Sequence, residues 1–447
     1  MRLLPLLIGL LASAVSADPF TDWLASERKT AVRKILGAIG SNGSIVAAPT
    51  EHTPGQNYYY FWVRDGALVM GEVARLTASF PAGPQKTQFQ ELLDNYVTFC
   101  DKVQTSPQPK DPLFKGLGEP KFFVDGMVFQ AAEKWKSPQD DGPALRLLSM
   151  LDVLRSGQPK SARIDAIIQR DLGYLTAHVA DPNAVDLWEE IRGRHYFNQR
   201  MQRQALLEAS AHLPGQAQSL QPAIDRLEQE LKKHHQGNLI HSSLEDLDRL
   251  DSSVLLAALY AQRQGPDTPL LDPDLMATFW KMRQSFQQEY KVNQKVTQDS
   301  EGMILEPGLG RYPGDFYDGS EGNPPGHPRP TYANPWFLIT AGAAEYCYRL
   351  QHLLQAQSIA VDERTRPLLE YAAGHALPGG NLTPKDRGAV AAGLGRLGDA
   401  YLRRVRHHAG ADGSMSEQFH RETGVMTGAT SLTWNYAAIL RAIDQRH

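Results

Sequence analysis

The fold follows from the segment LRLLSMLDVLRSGQPKSARIDAIIQRDL, which spans Leu145–Leu172. Its apolar side chains recur at three- and four-residue intervals, first at positions 145, 148, 151 and 154 and then at 164, 167, 168 and 172. This spacing places them on one face of an α-helix. The segment therefore predicts two consecutive amphipathic helices.

The same periodicity extends over most of the chain. It recurs in Leu92–Cys100, Val254–Leu259, Phe337–Tyr348, Ala389–Val405 and Leu432–Ile443. Few stretches alternate between apolar and polar residues as a half-buried strand would. We therefore expect an all-α protein with about ten to twelve helices.

The composition excludes several classes of protein. The chain has 447 residues, with 46 basic and 50 acidic side chains and a net charge of −4. This balance argues against a protein that binds nucleic acid or an anionic membrane mainly through positive charge. Two cysteines, Cys100 and Cys347, are too few for a disulfide-rich scaffold or a four-thiolate zinc site. We expect both to be buried free thiols.

The first 17 residues have the features of an export signal. Arg2 precedes the apolar run Leu3–Leu11, and small residues at Val15–Ala17 offer a cleavage point before Asp18. The run is too short to span a bilayer of about 30 Å. We therefore predict a signal peptide at 1–17, a single domain at 18–447, and a secreted or periplasmic protein without a membrane anchor. The alternative is a buried N-terminal helix.

Three carboxylates surround a tryptophan in Asp186–Glu190, DLWEE. One interpretation is an acidic helix start, since carboxylates are favourable near a helix N-terminus. If the segment is helical, Asp186 and Glu189 lie on one face. The other interpretation is a general acid, because a carboxyl group packed against an indole ring is more easily kept protonated.

Five consecutive aromatic residues, Tyr58–Trp62, precede Val63 and the ion-pairing dipeptide Arg64–Asp65. They predict either a buried strand beside a salt bridge or a platform on which sugar rings stack. A second carboxylate in an unusual setting is Glu417, within SEQF. Two carboxyl groups that flank a glycosidic bond are what glycoside hydrolysis requires.

Seven regions together make the chain resemble the glucoamylases of glycoside hydrolase family 15, in particular the yeast and fungal type. They occur in family order and cover nearly the whole chain after residue 17. These are Tyr58–Gly66 (YYYFWVRDG), Gly116–Gly126 (GLGEPKFFVDG), Pro138–Arg146 (PQDDGPALR), Asp186–Phe197 (DLWEEIRGRHYF), Gly310–Gly319 (GRYPGDFYDG), Asn334–Leu338 (NPWFL), and the pair Ser416–Phe419 (SEQF) and Ser431–Leu440 (SLTWNYAAIL).

The resemblance implies an (α/α)6 barrel of six inner and six outer helices, with the active site in loops at one end. It implies that Glu189 is the general acid, that Glu417 is the general base and that Asp186 supports the acid's loop. It also implies a set of sugar-binding residues: Tyr58, Arg64, Asp65, Trp135, Leu187, Trp188, Glu190, Arg311 and Trp434. No metal or organic cofactor is implied.

The implied activity is exo-acting, inverting hydrolysis of α-1,4-glucans, which releases β-glucose from non-reducing ends. The alternatives are another α-glucosidic specificity on the same fold (trehalose, isomaltose or dextran) and a non-catalytic glucan-binding or regulatory protein. We expect a monomer without a starch-binding module. Gly428 stands where fungal members carry a serine that bonds the base, so we expect a higher pKa for Glu417 than in those members, and a lower one in Gly428→Ser.

Overall fold

The computed structural model describes residues 18–49, 57–106, 117–129, 136–263, 268–319 and 332–446. The predicted signal peptide and Trp135 lie outside these residues. The described part of the chain contains fourteen α-helices: α1 (Pro19–Ala38), α2 (Val63–Ser79), α3 (Pro84–Thr105), α4 (Asp141–Arg155), α5 (Ala162–Ala177), α6 (Tyr196–His212), α7 (Ala217–Lys233), α8 (Ser253–Ala261), α9 (Pro273–Glu289), α10 (Lys291–Lys295), α11 (Phe337–Ala356), α12 (Arg366–Ala373), α13 (Pro384–His408) and α14 (Thr433–Asp444).

Six helices form a closed inner ring. In it α2 packs on α4, α4 on α6, α6 on α8, α8 on α11, α11 on α14, and α14 returns to α2. An outer helix lies against each of them: α1 on α14, α3 on α2, α5 on α4, α7 on α6, α9 on α8 and α13 on α11. The predicted (α/α)6 barrel is confirmed, and the helix count exceeds the expected twelve because α10 and α12 are short additions.

The two rings differ in how their side chains are buried. Every residue of the inner helix α8 is buried. The outer helix α7 buries only Leu220, Ile224, Leu227 and Leu231, whose spacing places them on one face. The one-sided apolar stripe of α7 is thus typical of an outer helix, whereas the inner helices are buried on more sides. The inner helix α6 includes polar side chains among its buried residues, such as Asn198, Gln199 and Gln202.

The helices also begin differently. Four of the six outer helices, α1, α5, α9 and α13, start with a capping side chain, from Asp18, Ser161, Asp272 and Thr383, whereas α3 and α7 have none. None of the six inner helices, all within the described residues, has a side-chain cap. The N–H groups at their first turns are thus available to the loops that precede them.

Eight short strands form four two-stranded antiparallel sheets in the described residues. They are β1 (Phe61–Trp62) with β2 (Lys121–Phe122), β3 (His235–Gln236) with β4 (Leu239–Ile240), β5 (Ala360–Val361) with β6 (Gly380–Asn381), and β7 (Ser416–Phe419) with β8 (Met426–Thr430). Cys100 and Cys347 are buried free thiols, as expected. None of the described helices combines the length and the apolar content needed to cross a bilayer.

Candidate active site

A cavity of about 380 Å³ opens where the inner helices begin. Ten of the predicted site residues line it: Tyr58, Arg64, Asp65, Leu187, Trp188, Glu189, Glu190, Arg311, Glu417 and Trp434. They come from loops and first turns far apart in sequence, which the closed ring of helices brings together. Asp186 does not line the cavity and lies behind the loop that carries Glu189.

The loop Asp186–Glu190 is a turn, not a helix start, because the nearest helix begins only at Tyr196. The helical interpretation of this segment is therefore wrong. Asp186 accepts hydrogen bonds at Oδ1 from the backbone N–H groups of Glu190 (2.6 Å) and Ile191 (3.0 Å). Such local bonds favour turns over helix for an aspartate. The backbone of Glu189 has a φ of +63°, a conformation that non-glycine residues rarely adopt.

All of the close donors to the Glu189 carboxyl group reach the same oxygen. Trp62 donates its indole N–H to Oε1 at 3.0 Å, and Gln139 donates its amide N–H to the same atom at 3.0 Å. Arg64 Nη2 lies 3.5 Å from it. No hydrogen bond from the described residues reaches Oε2 of Glu189. A proton on this carboxyl group is therefore best placed on Oε2.

Two tyrosine hydroxyl groups hold Glu417, which lies in β7. Tyr58 donates to Oε1 at 3.2 Å, Tyr317 donates to Oε2 at 3.1 Å, and the two hydroxyl oxygens are 2.7 Å apart. Burial raises the pKa of Glu417 to about 7, although these hydroxyl groups and the charge of Arg311 act in the opposite direction. The raised pKa of each tyrosine, due first to burial, keeps both as donors.

Gly428, on the neighbouring strand β8, faces the same carboxyl group. Its φ is +75°, and a Cβ atom added there would lie 2.6 Å from Oε2 of Glu417. A serine would therefore fit only if the Glu417 carboxyl group shifted. The tyrosine hydroxyl groups already donate to both oxygens of Glu417, so the lower pKa expected in Gly428→Ser stays a prediction, and a displaced carboxyl group is the competing outcome.

Arg64 and Asp65 form a buried charged pair at the start of α2. Arg64 Nη1 donates to Gln139 and to Asp141, each at 3.0 Å. The Arg64 guanidinium also lies 5.9 Å from the Trp434 ring centroid. Burial raises the pKa of Asp65 to about 6, while the charge of Arg64 opposes the shift. The aromatic run divides between two environments: Phe61 packs on Phe99 in the core, whereas Tyr58 and Trp62 line the cavity. Stacking of a sugar on these rings stays a prediction.

Arg311 is fixed by a two-pronged contact to Asp315, at 2.8 Å from Nε and 2.7 Å from Nη2. Its Nη2 also donates to Glu190 at 2.7 Å, and Tyr312 donates to the other oxygen of Glu190 at 2.6 Å. Guanidinium groups held in this way keep a fixed orientation. Arg311 and Glu190 therefore form one rigid edge of the cavity.

Arg249 ties the loop that carries Glu189 to the residues that precede α8. It contacts Asp251 at 2.8 Å, Glu190 at 3.2 Å and Asp186 at 3.4 Å, and its guanidinium stacks 3.6 Å from the Tyr312 ring centroid. Asp251 in turn accepts the indole N–H of Trp188 at 2.9 Å. Asp186 contacts Arg249 as well as the backbone of its own loop, and its support of a catalytic acid stays a prediction.

Several residues of the site were not among the individually predicted ones, and four of them contact predicted residues directly: Trp62, Gln139, Tyr317 and Arg249. Trp62, Gln139 and Tyr317 lie inside the segments that carry the resemblance, so their position could have suggested a role. Arg249 lies in the segment SLEDLDRLD, which resembles an ordinary solvated charged stretch, and nothing local in it indicates the contacts it makes.

A closed double ring of helices, with inner N-termini around an acidic and aromatic cavity, defines the glycosidases built on the (α/α)6 barrel. Within that class, this chain belongs to the glycosyl hydrolases family 15, whose family model matches residues 29–444.

Individual relatives agree with this assignment. A glucoamylase from Blastobotrys adeninivorans is 29% identical over 96% of this chain and 72% of its own length. A probable glucoamylase from Schizosaccharomyces pombe is 29% identical over 95% of this chain and 91% of its own length. The solved structure of the Saccharomycopsis fibuligera glucoamylase has a TM-score of 0.82 at 25% identity, and covers 96% of this chain and 95% of that one.

Proposed function

We propose that this protein is an exo-acting, inverting glucan 1,4-α-glucosidase that releases β-glucose from the non-reducing ends of starch, dextrins, glycogen and maltose. The observation that carries the proposal is that Glu189 and Glu417 line one cavity with opposite hydrogen-bonding arrangements. The donors to Glu189 leave one oxygen for the substrate, whereas both oxygens of Glu417 receive hydroxyl donors. The names of the family relatives support this activity.

The reaction is a single displacement in which Glu189 is the general acid. Its Oε2 proton passes to the glycosidic oxygen as the bond between that oxygen and the anomeric carbon breaks. The three donors at Oε1 stabilise the carboxylate that remains.

In the same displacement, Glu417 is the general base. It takes a proton from a water molecule on the other face of the sugar, and the water oxygen forms the new bond to the anomeric carbon. Attack from that face inverts the configuration, so an α-linked glucose leaves as β-glucose. For this geometry the two carboxyl groups are expected to stand about 6.5–9.5 Å apart.

The remaining cavity residues suit the recognition of one terminal glucose. Arg64, Asp65, Arg311 and Glu190 offer charged donors and acceptors for hydroxyl groups, and their own ion pairs hold them in place. Trp434 also lines the cavity, and its indole N–H donates to Tyr260 at 2.8 Å. Exo action is supported by the glucoamylase names of the family relatives.

The decisive experiment is incubation of the protein with maltoheptaose, followed by proton NMR in the first minutes. We expect glucose as the first product, with the β anomer in excess over its equilibrium share. Trehalose, isomaltose and dextran, tested in parallel, should be cleaved more slowly than maltose. Initial release of α-glucose, or faster cleavage of trehalose than of maltose, would contradict the proposal, and the absence of any cleavage would favour a binding protein.

Export is a separate part of the proposal. Arg2, the apolar run Leu3–Leu11 and the small residues before Asp18 support a cleaved signal peptide. N-terminal sequencing of protein recovered outside the cytoplasm should begin at Asp18. Recovery of the intact Met1 sequence from the cytoplasm alone would contradict export.

A further inference from the structure

A second cavity, of about 520 Å³, lies at the opposite ends of the inner helices from the candidate active site. The later turns of α2, α4, α11 and α14 border it, together with the residues that follow α8. Its wall carries five arginines: Arg75, Arg155, Arg263, Arg349 and Arg441. Among the described residues, only two carboxylates share this wall, Glu72 and Asp152.

Further carboxylates stand behind the arginines without lining the cavity. Glu345 pairs with Arg441 at 2.7 Å, Asp444 with Arg75 at 2.7 Å, and Glu208 with Arg263. Burial alone would raise the pKa of Glu345, but the charges of Arg441 and Arg349 hold it below its ordinary value. Burial lowers the pKa of Arg349, the charges of Glu345 and Glu72 oppose this shift, and those of Arg441 and Arg75 add to it. The arginines are therefore held in place by carboxylates, most of which stand behind the wall while the guanidinium groups line the cavity.

Some of the guanidinium nitrogens have a structural task. Arg349 donates Nη1 to the backbone oxygens of Leu259 and Gln262, and Arg441 donates to Leu259. These bonds satisfy carbonyl groups at the end of α8, as basic side chains commonly do at helix C-termini. That task leaves other donors unused. Within the described residues, no hydrogen bond is made by Nη1 of Arg75, Nη1 of Arg263 or Nη2 of Arg349.

We propose that this cavity is a binding site for a small oxyanion, either a carboxylate or a phosphate. Guanidinium groups match the oxygen pairs of both, and hydrogen bonds between charged partners are the stronger ones. The candidate active site differs in charge, since four carboxylates face its three basic side chains: Asp65, Glu189, Glu190 and Glu417 against Arg64, Arg311 and Lys136. A neutral sugar suits that pocket, whereas an anion suits the arginine-lined cavity. This inference does not depend on the proposed function.

The test is isothermal titration of the full-length protein with sodium citrate and, separately, with sodium phosphate, at constant ionic strength set by sodium chloride. Arg75→Gln and Arg155→Gln each remove one guanidinium from the wall. Both variants should fold, because every carboxylate that loses a partner keeps another. Glu72 keeps Arg441 and Asp444 keeps Arg28; Asp152 and Glu208 both keep Arg263.

The matched control is Arg28→Gln. Arg28 pairs with Asp444 as Arg75 does, at 2.7 Å, but it does not line the cavity. Circular dichroism and the melting temperature establish that all three variants are folded before titration.

We expect one saturable site per chain. Each wall variant should weaken binding about tenfold, as expected for the loss of one charged hydrogen bond, and Arg28→Gln should change it less than twofold. Saturating glucose should leave the affinity unchanged. Binding of citrate alone identifies a carboxylate ligand, and binding of phosphate alone identifies a phosphate ligand. The proposal is overturned if neither anion gives saturable binding, if both wall variants bind as the unmodified protein does, or if glucose displaces the anion.

Discussion

Gln139 and Glu189 are joined by a hydrogen bond of 3.0 Å from the amide nitrogen of one to Oε1 of the other. The amide oxygen of Gln139 accepts from Arg64, also at 3.0 Å. Since a guanidinium group can only donate, this contact fixes which end of the amide faces Glu189. Gln139 therefore orients the carboxyl group that we assign as the general acid.

Gln139→Leu removes this donor at similar side-chain volume. We expect kcat on maltose to fall about tenfold to a hundredfold, with a smaller change in KM, because a charged hydrogen bond contributes about 1.5–3 kcal/mol. Steady-state kinetics on maltose give kcat and KM separately and so test this prediction. Gln158→Leu is the control, because Gln158 bonds only the backbone oxygen of Gln90 far from the cavity. Unchanged kcat in Gln139→Leu would exclude it as a positioning residue.

Glu189→Gln and Glu417→Gln test the two catalytic assignments. Each should lower kcat by about 10²–10⁴-fold, since neither amide can transfer the required proton. The folded state should persist, because the amide is nearly the same size as the acid. Glu422→Gln, at an exposed position paired only with Lys291, should leave kcat unchanged. Near-normal turnover in either cavity variant would remove that carboxylate from its role.

Tyr317→Phe should change the pH dependence of kcat/KM. Glu417 must be ionised to act as a base, so activity falls as the pH drops through its pKa, which burial raises to about 7. The Tyr317 hydroxyl favours the ionised form, and its loss should raise this pKa further. We expect the acidic limb to move to higher pH by up to about one unit. Tyr59→Phe should leave the profile in place, and an equal shift in both variants would refute the assignment.

Gly428→Ser and Gly428→Ala should damage the enzyme in the same way. Either Cβ would approach Oε2 of Glu417 to 2.6 Å, and the φ of +75° disfavours any side chain. We expect kcat to fall about tenfold or more in both, as for a misplaced catalytic group. A serine variant with full activity and an acidic limb at lower pH would show that position 428 accommodates a donor after all.

Arg64→Lys tests the charged clamp at the start of α2. The Arg64 guanidinium contacts Gln139 and Asp141 through one nitrogen and approaches Glu189 through another. A lysine ammonium cannot reproduce this planar fork. Loss of two charged hydrogen bonds should lower kcat/KM on maltose by about 10²-fold. An unchanged kcat/KM would place Arg64 outside the sugar site.

The sequence was most informative where the physical signal is local. The three- and four-residue spacing of Leu145–Leu172 predicts α4 and α5, and the periodic run at Leu432–Ile443 predicts α14. The order in which these helices close into a ring is not a local property. That topology came from the family resemblance, which depends on loop motifs and not on the helices themselves.

The site was harder to predict because its contacts span large sequence distances. Glu417 meets Tyr58 across 359 residues and Tyr317 across 100. Spacing within one segment cannot indicate such pairs. The helical interpretation of Asp186–Glu190 failed because the Asp186 side chain accepts hydrogen bonds from the backbone of its own turn. An acidic residue can do this as readily as it can cap a helix, so the composition of the segment does not distinguish the two structures.

The closure of the inner ring by α14 has a consequence for synthesis on the ribosome. Arg75 on α2 contacts Asp444 on α14, and the two residues are 369 positions apart in the sequence. The helices α2 and α11 therefore cannot pack against α14 until residues 433–444 have left the exit tunnel. Trp434, which lines the candidate active site, lies in the same segment. A nascent chain that lacks this segment carries five inner helices with two apolar flanks uncovered, which is the kind of intermediate that chaperones bind.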